Sequence, residues 1–398
     1  MQYDVYLRNN QGRRTSLVNG IVSLTATFRV NQPVKWKLTG SGLEECPLSQ
    51  NTSIAIFRNG QTWLCGYCTE RKDKYDASTR IYDWEVSGLS DLGRLADRLV
   101  FPDPTDETPD PDGTYSVSGY LSHVLMDTIN NNAGAAAIRD RQLPRLVISG
   151  ISDLGDELTV EAKFDELMSF VTNKLKDTDL EIREIWDLQT GLWNIVIRRP
   201  QDVSSTVIFS VDNGTIAEWE RTVKAPKANW LLVTGCEQKD DSNPDDEGIT
   251  MSCIVYDEDS IQQWGLIEGT VSRSDIDRVE GNAEEGTTDE SWDSVQERLQ
   301  KAAYEELEKA SAQFGYKLKT TEVSRNVYLE DYDIGSIVSI RIGDDEFIAK
   351  VEEIKVEYKE GVETVTPSVG TMQRGELQTV FTELGTLKEQ IKVLQQTK

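Results

Sequence analysis

The chain has 398 residues, enough for about two to four domains with hydrophobic cores of their own. A content of 38% hydrophobic and 28% charged residues is typical of globular proteins, and no apolar run approaches the roughly 18–20 residues that cross a bilayer. The formal net charge of −27 argues against a nucleic-acid-binding surface, which needs clustered Lys and Arg. Residues 1–7 lack the features of a signal peptide, so we expect folding in a cytoplasm.

Residues 1–100 have the alternating polar and apolar pattern of β-strands. Asn59-Gly60 lies between two apolar runs and predicts a tight hairpin, because both central residues of a type I′ turn need a positive φ. A polar excursion follows at 71–80, and residues 92–99 have the spacing of a short helix. The predicted strands are 22–30, 34–38, 54–58, 63–67 and 84–88.

Residues 101–115 are rich in Pro and Asp, which predicts a linker and a domain boundary, because proline removes hydrogen-bond donors and the acids stay solvated. The segment 116–204 mixes both periodicities and predicts a small α+β domain. There we expect Ser118 to cap a helix that carries Leu121, Val124, Leu125 and Ile129. The other elements predicted there are a strand at 146–150, a helix at 162–176 and a hairpin of 180–186 with 192–198.

Residues 205–372 return to strand patterns around one long helix, predicted at 292–314 from its apolar stripe. The chain is therefore predicted to be mainly β with an α+β insertion. The strands predicted in this part are 206–209, 217–223, 228–235, 250–256 and 316–323, followed by a meander that continues to 368.

The last segment, 375–398, carries an apolar stripe with alternating spacings of three and four residues. That spacing predicts a coiled-coil helix, and a helix this short needs partner helices to be stable. Packing of the stripe on the chain's own body is the alternative. The stripe, and the predicted oligomerisation site, consists of Leu377, Val380, Leu384, Leu387, Ile391 and Leu394.

No pattern in the chain predicts a catalytic, cofactor or metal site. The five cysteines do not form a disulfide framework, and Cys65-Gly-Tyr-Cys68 lies inside a strand pattern, so we expect buried free thiols. The acidic run 239–248 departs from the ligand spacing of a calcium loop and is interpreted as an exposed loop. His123 is the single histidine, which excludes the zinc sites of hydrolases that need two or three.

Two stretches of the chain resemble the tail hub and baseplate hub proteins of long-tailed bacteriophages. In the first, strands of the form I-x-I-x-R-x-G and V-x-G lead to a helix ending in L-x-x-R, with Cys68 standing near a position that is often apolar in the family. The matching residues of this stretch are Ile54, Ile56, Arg58, Gly60, Gly66, Val86, Gly88, Leu95 and Arg98. Those of the second stretch are Asp331, Gly335, Val338, Val365 and Gly370.

The resemblance implies a homotrimeric structural protein of the virion, at the tail tip, assembled in the host bacterial cytoplasm. Two tube-like β domains, 1–100 and 205–372, would line a channel for DNA, with 116–204 at the periphery and the carboxy-terminal helices bundled on the axis. The implied partners are further copies of the chain, the distal tail protein or tail tube ring, the tape measure protein, and tail-tip fibre or receptor-binding proteins.

The net charge leads us to expect an acidic channel wall, since carboxylates repel the phosphates of passing DNA, although solubility alone also explains the acidity. Family members that are enzymes carry a peptidase or lysozyme domain after the hub, and this chain ends in its short heptad segment. We therefore expect no enzymatic activity and no cofactor. Two other function classes stay open: a surface carbohydrate-binding adhesin, and a carboxylate-based cell-wall hydrolase.

Overall fold

The computed structural model describes residues 1–105, 110, 112–150, 152–176, 178–238, 249–274, 276, 278, 290–320, 325–343 and 345–373. These residues fold into two compact units. The first contains residues 1–219 and 317–369, and the second contains residues 220–316 and, at the end of the described chain, 370–373. The part of the chain that the structure describes is mainly β, which confirms the predicted fold class at this level.

Residues 1–219 of the first unit contain thirteen complete strands. Strands from residues 317–369 complete the sheets of this unit. The strands are β1 (Tyr3–Arg8), β2 (Arg14–Leu17), β3 (Ile21–Arg29), β4 (Lys35–Gly42), β5 (Ser53–Arg58), β6 (Gln61–Asp76), β7 (Ile81–Ser90), β8 (Tyr115–Tyr120), β9 (Leu146–Ile148), β10 (Glu157–Ala162), β11 (Glu181–Asp187), β12 (Leu192–Arg198) and β13 (Ile208–Ser210). The helices are α1 (Leu121–Ala133), α2 (Leu167–Leu175) and two 3-10 helices, Asp91–Asp97 and Arg139–Arg141.

The later strands are β14 (Ile216–Lys224), β15 (Trp230–Gln238), β16 (Ile249–Tyr256), β17 (Glu268–Ser272), β18 (Gln313–Thr320), β19 (Ile337–Ile342), β20 (Asp345–Lys359) and β21 (Val362–Gln373). The later helices are α3 (Glu258–Trp264) and α4 (Trp292–Ala310). The divisions between the two units fall within β14, β18 and β21.

One large sheet of thirteen strands joins strands from both ends of the chain, and nine of them follow the order β21-β20-β3-β4-β7-β6-β5-β1-β2. The junction is the antiparallel pair of β3 and β20, in which Phe28 lies opposite Ile354. The alternation predicted for 22–30 is observed in β3, since Leu24, Ala26 and Phe28 are buried. The β regions predicted as separate domains, 1–100 and 205–372, thus contribute to a single sheet.

The predicted hairpin between β5 and β6 is confirmed. Asn59 and Gly60 link these strands with φ angles of 51° and 78°, as a type I′ turn requires. No strand was predicted in the polar excursion at 71–80, but the structure has strand over much of it. β6 continues to Asp76 and pairs with β7, where Asp76 lies opposite Ile81. This end of the hairpin is largely exposed, so polar residues are compatible with both faces of the strand.

The α+β part, predicted at 116–204, contains α1, α2 and β8–β12, and its hairpin of β11 and β12 is confirmed. Ser118 does not cap α1: it lies in β8 and its hydroxyl contacts that of Thr159 across the strand pair at 2.7 Å. The first N–H groups of α1, at Leu121 and Ser122, donate instead to the backbone oxygens of Asp156 and Leu154. A long-range contact therefore replaces the local cap.

The second helix of this part is shorter than predicted. Ala162 ends β10, and α2 begins at Leu167, where the Glu166 carboxylate accepts the N–H of Met168 at 2.8 Å. One hydrophobic core contains both the 3-10 helix Asp91–Asp97 and these elements, with Leu95 packed among residues of α1 and α2. The residues on either side of the predicted linker, such as Val100 and Tyr115, therefore belong to one core.

The second unit packs α4 on a sheet of the order β16-β15-β17. The long predicted helix is confirmed from Trp292, but it ends at Ala310 and not at residue 314, because β18 begins at Gln313. Its core includes Leu231, Val233, Val255 and Leu299. No helix among the described residues is long and apolar enough to cross a bilayer.

Candidate functional site

Across strands β3, β4, β7 and β20, the large sheet of the first unit has one face buried in the core and one polar face, whereas β5 is buried on both sides. On strands β3, β4, β7 and β20, every second residue is buried, as in Trp36, Leu38, Val86 and Val356. The residues between them point to the opposite side because side chains alternate along a strand. We call the side of the sheet that carries Thr25, Lys37 and the residues paired with them the polar face.

Charged side chains of the polar face form cross-strand ion pairs. Lys37 Nζ lies 2.6 Å from a Glu85 carboxylate oxygen, and Arg29 Nε lies 2.6 Å from Glu353. The basic residues outnumber the acidic ones on this face, although the whole chain is strongly acidic. The basic residues are Arg29, Lys35, Lys37, Lys72, Lys74, Lys355 and Lys359, and the acidic ones are Glu70, Asp76, Asp83, Glu85, Glu353 and Glu357.

On the opposite side of the sheet, a buried ion pair joins the two ends of the chain. Arg58 of β5 donates two hydrogen bonds to Glu363 of β21, at 2.9 and 2.7 Å, and both side chains are more than nine-tenths buried. The hydroxyl of Tyr3 donates to the same carboxylate. Burial alone would raise the pKa of Glu363, but the hydrogen bonds from Arg58 and Tyr3 lower it below its ordinary value. This carboxylate therefore stays ionised.

A second buried cluster connects the sheet to the α+β part. Arg8 Nη2 lies 2.5 Å from a carboxylate oxygen of Asp91, and both side chains are buried. Glu184 of β11 accepts the N–H of Leu92 at 2.7 Å. Burial, and then the charge of Asp91, raise the pKa of Glu184 to about 8, against hydrogen bonds from Ser90 and Leu92 and the positive charge of Arg8. Glu184 is thus largely protonated at neutral pH.

We expect Glu184→Gln to stabilise the protein at alkaline pH. Because the pKa of Glu184 is higher in the folded than in the unfolded chain, its stabilising contribution is complete below its ordinary pKa and is lost as the pH rises through about 8. Glutamine keeps an acceptor for Leu92 and cannot ionise. The free energy of unfolding in urea should favour the variant by on the order of 3 kcal/mol at pH 9, with a smaller difference at pH 5.

The control for this experiment is Glu161→Gln, at an exposed position of β10. It should leave the pH dependence of unfolding unchanged. An advantage of Glu184→Gln that is the same at pH 5 and pH 9 would contradict a raised pKa at this carboxyl.

His123 is not part of either cluster, whereas the Cys65 thiol lies within electrostatic reach of Arg8, Asp91 and Glu184. All five cysteines are free thiols, as predicted, and Cys46, Cys65 and Cys68 are buried. Burial raises the pKa of the Cys68 thiol to about 12, which makes it a poor nucleophile at neutral pH. His123 Nε2 lies 2.6 Å from a carboxylate oxygen of Asp153 at the surface. Among the described residues, no group of three or more His, Cys, Asp or Glu side chains could hold a metal ion.

Comparison with known proteins assigns the chain to a family. The model of the siphovirus ReqiPepy6 Gp37-like proteins matches residues 4–371. The chain belongs to this family. The match covers both stretches that carry the resemblance to long-tailed phage proteins, and it confirms that recognition. No curated protein sequence matches the chain.

Solved structures of tail proteins, two of them from prophages, have the same fold as this family member. The 43 kDa tail protein of prophage MuSo2 from Shewanella oneidensis aligns with a TM-score of 0.57 at 11% identity, over 93% of this chain and 98% of that chain. A tail protein from Neisseria meningitidis MC58 aligns with a TM-score of 0.55 at 11% identity, over 94% and 97%. Tail protein gp18 of a Listeria monocytogenes EGD-e prophage gives 0.51 at 10% identity, over 97% and 99%.

Two sites predicted from the sequence of this family member lie outside the described residues. One is the acidic run 239–248. The other is the predicted oligomerisation stripe, Leu377, Val380, Leu384, Leu387, Ile391 and Leu394. Both stay predictions.

Sequence reasoning missed the two buried charge clusters. Arg58 was noted as part of the resemblance, but its partner Glu363 is 305 positions away in the chain. The only local signal was an arginine that ends an apolar strand, and Glu184 likewise lies between the apolar residues Ile182 and Trp186. A charged residue inside an apolar strand pattern marks a buried ion pair or acid, without naming its partner.

Proposed function

We propose that this protein is a structural component of the phage tail and forms the hub at the distal end of the tail tube. The observation that carries the proposal is the large sheet, which combines strands from both ends of the chain and leaves one polar face. The family and the fold shared with prophage tail proteins support it. Virion location and assembly in the host cytoplasm follow from the same proposal.

In the proposed hub, three copies form a ring and the polar face lines the channel. Such a wall must let DNA pass without binding it. The polar face does not meet the expectation of a net acidic wall, since its basic residues outnumber its acidic ones. Ion pairs such as Lys37–Glu85 and Lys355–Glu357, at 2.6 and 2.9 Å, instead neutralise the lysines locally. We therefore propose a wall of mixed charge that offers DNA no uncompensated basic patch.

The role we propose is not enzymatic. The observations that support it are local: the buried thiols have raised pKa values, and His123 is paired with an exposed aspartate rather than with a nucleophile. The proposed partners are the distal tail protein or tail tube ring, the tape measure protein, and tail-tip fibre or receptor-binding proteins. Each would contact the ring or the carboxy-terminal helices.

We expect Leu384→Asp combined with Leu387→Asp to dissociate the trimer into monomers. Two carboxylates in a dry seam between helices are costly to bury, whereas exposed carboxylates on a single helix are not. Light scattering should report three chains for the unchanged protein and one for the variant. The melting temperature of the two compact units should stay the same.

The matched control is Thr382→Asp combined with Thr386→Asp, which adds the same charge to the same segment outside the apolar stripe. It should keep the trimer. Loss of the soluble protein with Leu384→Asp and Leu387→Asp would show that the stripe packs on the chain's own body, contrary to its proposed role in assembly.

A further inference from the structure

A small cavity of the first unit, with a volume of about 250 Å³, lies between the sheet and the α+β part. We call it the arginine pocket. It is bounded by the start of the β1–β2 turn, the 3-10 helix Asp91–Asp97, and the hairpin of β11 and β12. The lining residues that matter here are Arg8, Asp91, Arg94, Arg145, Trp186 and Trp193.

The net charge of the residues that line the arginine pocket is positive, whereas the net charge of the chain is negative. Three arginines line it, and among the described residues Asp91 is the one acidic residue of the lining. The Asp91 carboxylate is shared between Arg8 and Arg94, at 2.5 and 3.4 Å, so one negative charge faces three positive ones. In a chain of net charge −27, this is a local concentration of positive charge. Such a pocket attracts anions.

The side chain of Arg145 is held at the pocket by its own backbone and by a neighbouring loop. Its φ of 69° lies in the left-handed region, which is uncommon for a long side chain. Its guanidinium donates to the carbonyl oxygens of Thr190 and Gly191 at 2.7 and 3.3 Å. An arginine guanidinium has five N–H groups, so it can donate further hydrogen bonds besides these two.

Among the described residues, two enclosed donors that belong to lining residues of the pocket have no hydrogen-bond acceptor. Arg8 is only 8% exposed, and its Nη2 donates to Asp91 and to the carbonyl oxygen of Gly66. Its Nε, like Nε1 of Trp186, has no hydrogen-bond partner among the described residues. The two groups are neighbours, since the guanidinium carbon of Arg8 lies 4.2 Å from the centre of the Trp186 ring. A buried donor without an acceptor costs about 1–3 kcal/mol.

We propose that the arginine pocket binds a small oxyanion, either a carboxylate or a phosphate group. An oxyanion supplies several acceptor oxygens and one negative charge, which the pocket lacks. Arginine suits this recognition because its planar N–H groups pair with carboxylate and phosphate oxygens. The anion has two possible sources: a free ion, or an acidic side chain of a neighbouring copy in the assembled protein. The site is independent of the proposed role as a tail hub.

The test follows the indole N–H resonance of Trp186 in protein labelled with ¹⁵N at tryptophan, assigned by its loss in Trp186→Phe. Titration with inorganic phosphate, and separately with acetate, is made at constant ionic strength with chloride as the replaced ion. We expect a saturable shift of this resonance with at least one of the two anions. Arg145→Gln should weaken the apparent affinity by about tenfold or more, because it removes a charge-assisted hydrogen bond.

The matched control is Arg139→Gln, which removes the same charge at an exposed position of the neighbouring 3-10 helix. It should leave the affinity unchanged, and the other indole resonances show whether each variant is folded. A shift that depends on protein concentration, without added anion and lost in Arg145→Gln, would assign the oxyanion to a neighbouring copy. An unchanged Trp186 resonance under all these conditions, or equal shifts with and without Arg145, would overturn the proposal.

Discussion

Glu363→Ala is expected to lower the free energy of unfolding of the first unit by about 3–5 kcal/mol, because it leaves the Arg58 guanidinium buried without its counter-ion. Both partners are at least 92% buried as side chains, and Tyr3 loses its acceptor in the same step. Urea unfolding followed by tryptophan fluorescence measures the change. The same substitution at Glu357, an exposed acid of β20 paired with Lys355, should cost less than about 1 kcal/mol.

A double variant identifies the cause of that loss. Arg58→Met combined with Glu363→Leu replaces both charges with apolar side chains of similar size. Because the uncompensated charge is then absent, the double variant should be more stable than Glu363→Ala alone. A double variant that is as unstable as the single one would show that packing, and not the buried charge, accounts for the loss. A loss with Glu363→Ala no larger than that with Glu357→Ala would contradict the whole argument.

Asp91→Ala is expected to be comparably destabilising, by about 3–5 kcal/mol, since Asp91 is the acceptor for both Arg8 and Arg94. Asp91→Asn keeps one acceptor oxygen and should lose less. Thermal or urea unfolding measures both. Asp73→Ala, which breaks the surface pair with Arg71, is the control and should change stability by less than about 1 kcal/mol.

The same variants carry a second readout. Asp91 raises the pKa of Glu184 by its charge, so Asp91→Asn should lower that pKa and reduce the loss of stability with rising pH. If Asp91→Ala and Asp73→Ala destabilise equally, the cluster around Arg8 does not hold the sheet to the α+β part.

Local patterns predicted the elements whose causes are local. The type I′ turn at Asn59-Gly60 follows from the need for positive φ, and the alternation in β3 follows from one buried face. Ser118 was wrongly predicted as a cap. The first N–H of α1 donates instead to the Asp156 carbonyl oxygen, in the loop between β9 and β10. No local pattern encodes that contact.

The structure explains why two positions of the phage-protein resemblance, 66 and 88, are glycine. A Cβ at Gly88 would lie 2.0 Å from the Tyr67 carbonyl oxygen and 2.3 Å from the ring of Trp36, which is 2% exposed. A Cβ at Gly66 would lie 2.2 Å from the Leu89 carbonyl oxygen. A Cβ at Gly66 would also lie 2.9 Å from Trp36 Nε1. Both positions therefore need glycine, so that the neighbouring strand and the Trp36 ring can approach the backbone closely. The sequence showed these glycines but not the ring that they accommodate.

The residues of the candidate sites were less predictable than the fold. Pairing of Arg58 with Glu363 depends on the contact between β3 and β20, which spans most of the chain. Pairing of Arg8 with Asp91 depends on the strand order β7-β6-β5-β1. The charge of the polar face also could not be inferred from the net charge of −27, since net charge does not say which residues share a face.

The proposed hub is tested most directly by the rotational symmetry and copy number of this protein at the distal end of the tail, determined by electron cryomicroscopy of phage particles. The account predicts a ring of three copies with threefold symmetry, in which the polar face with Lys37 and Glu85 lines the channel. Its absence from the distal end of the tail, a ring with another number of copies, or a polar face turned away from the axis would contradict the account.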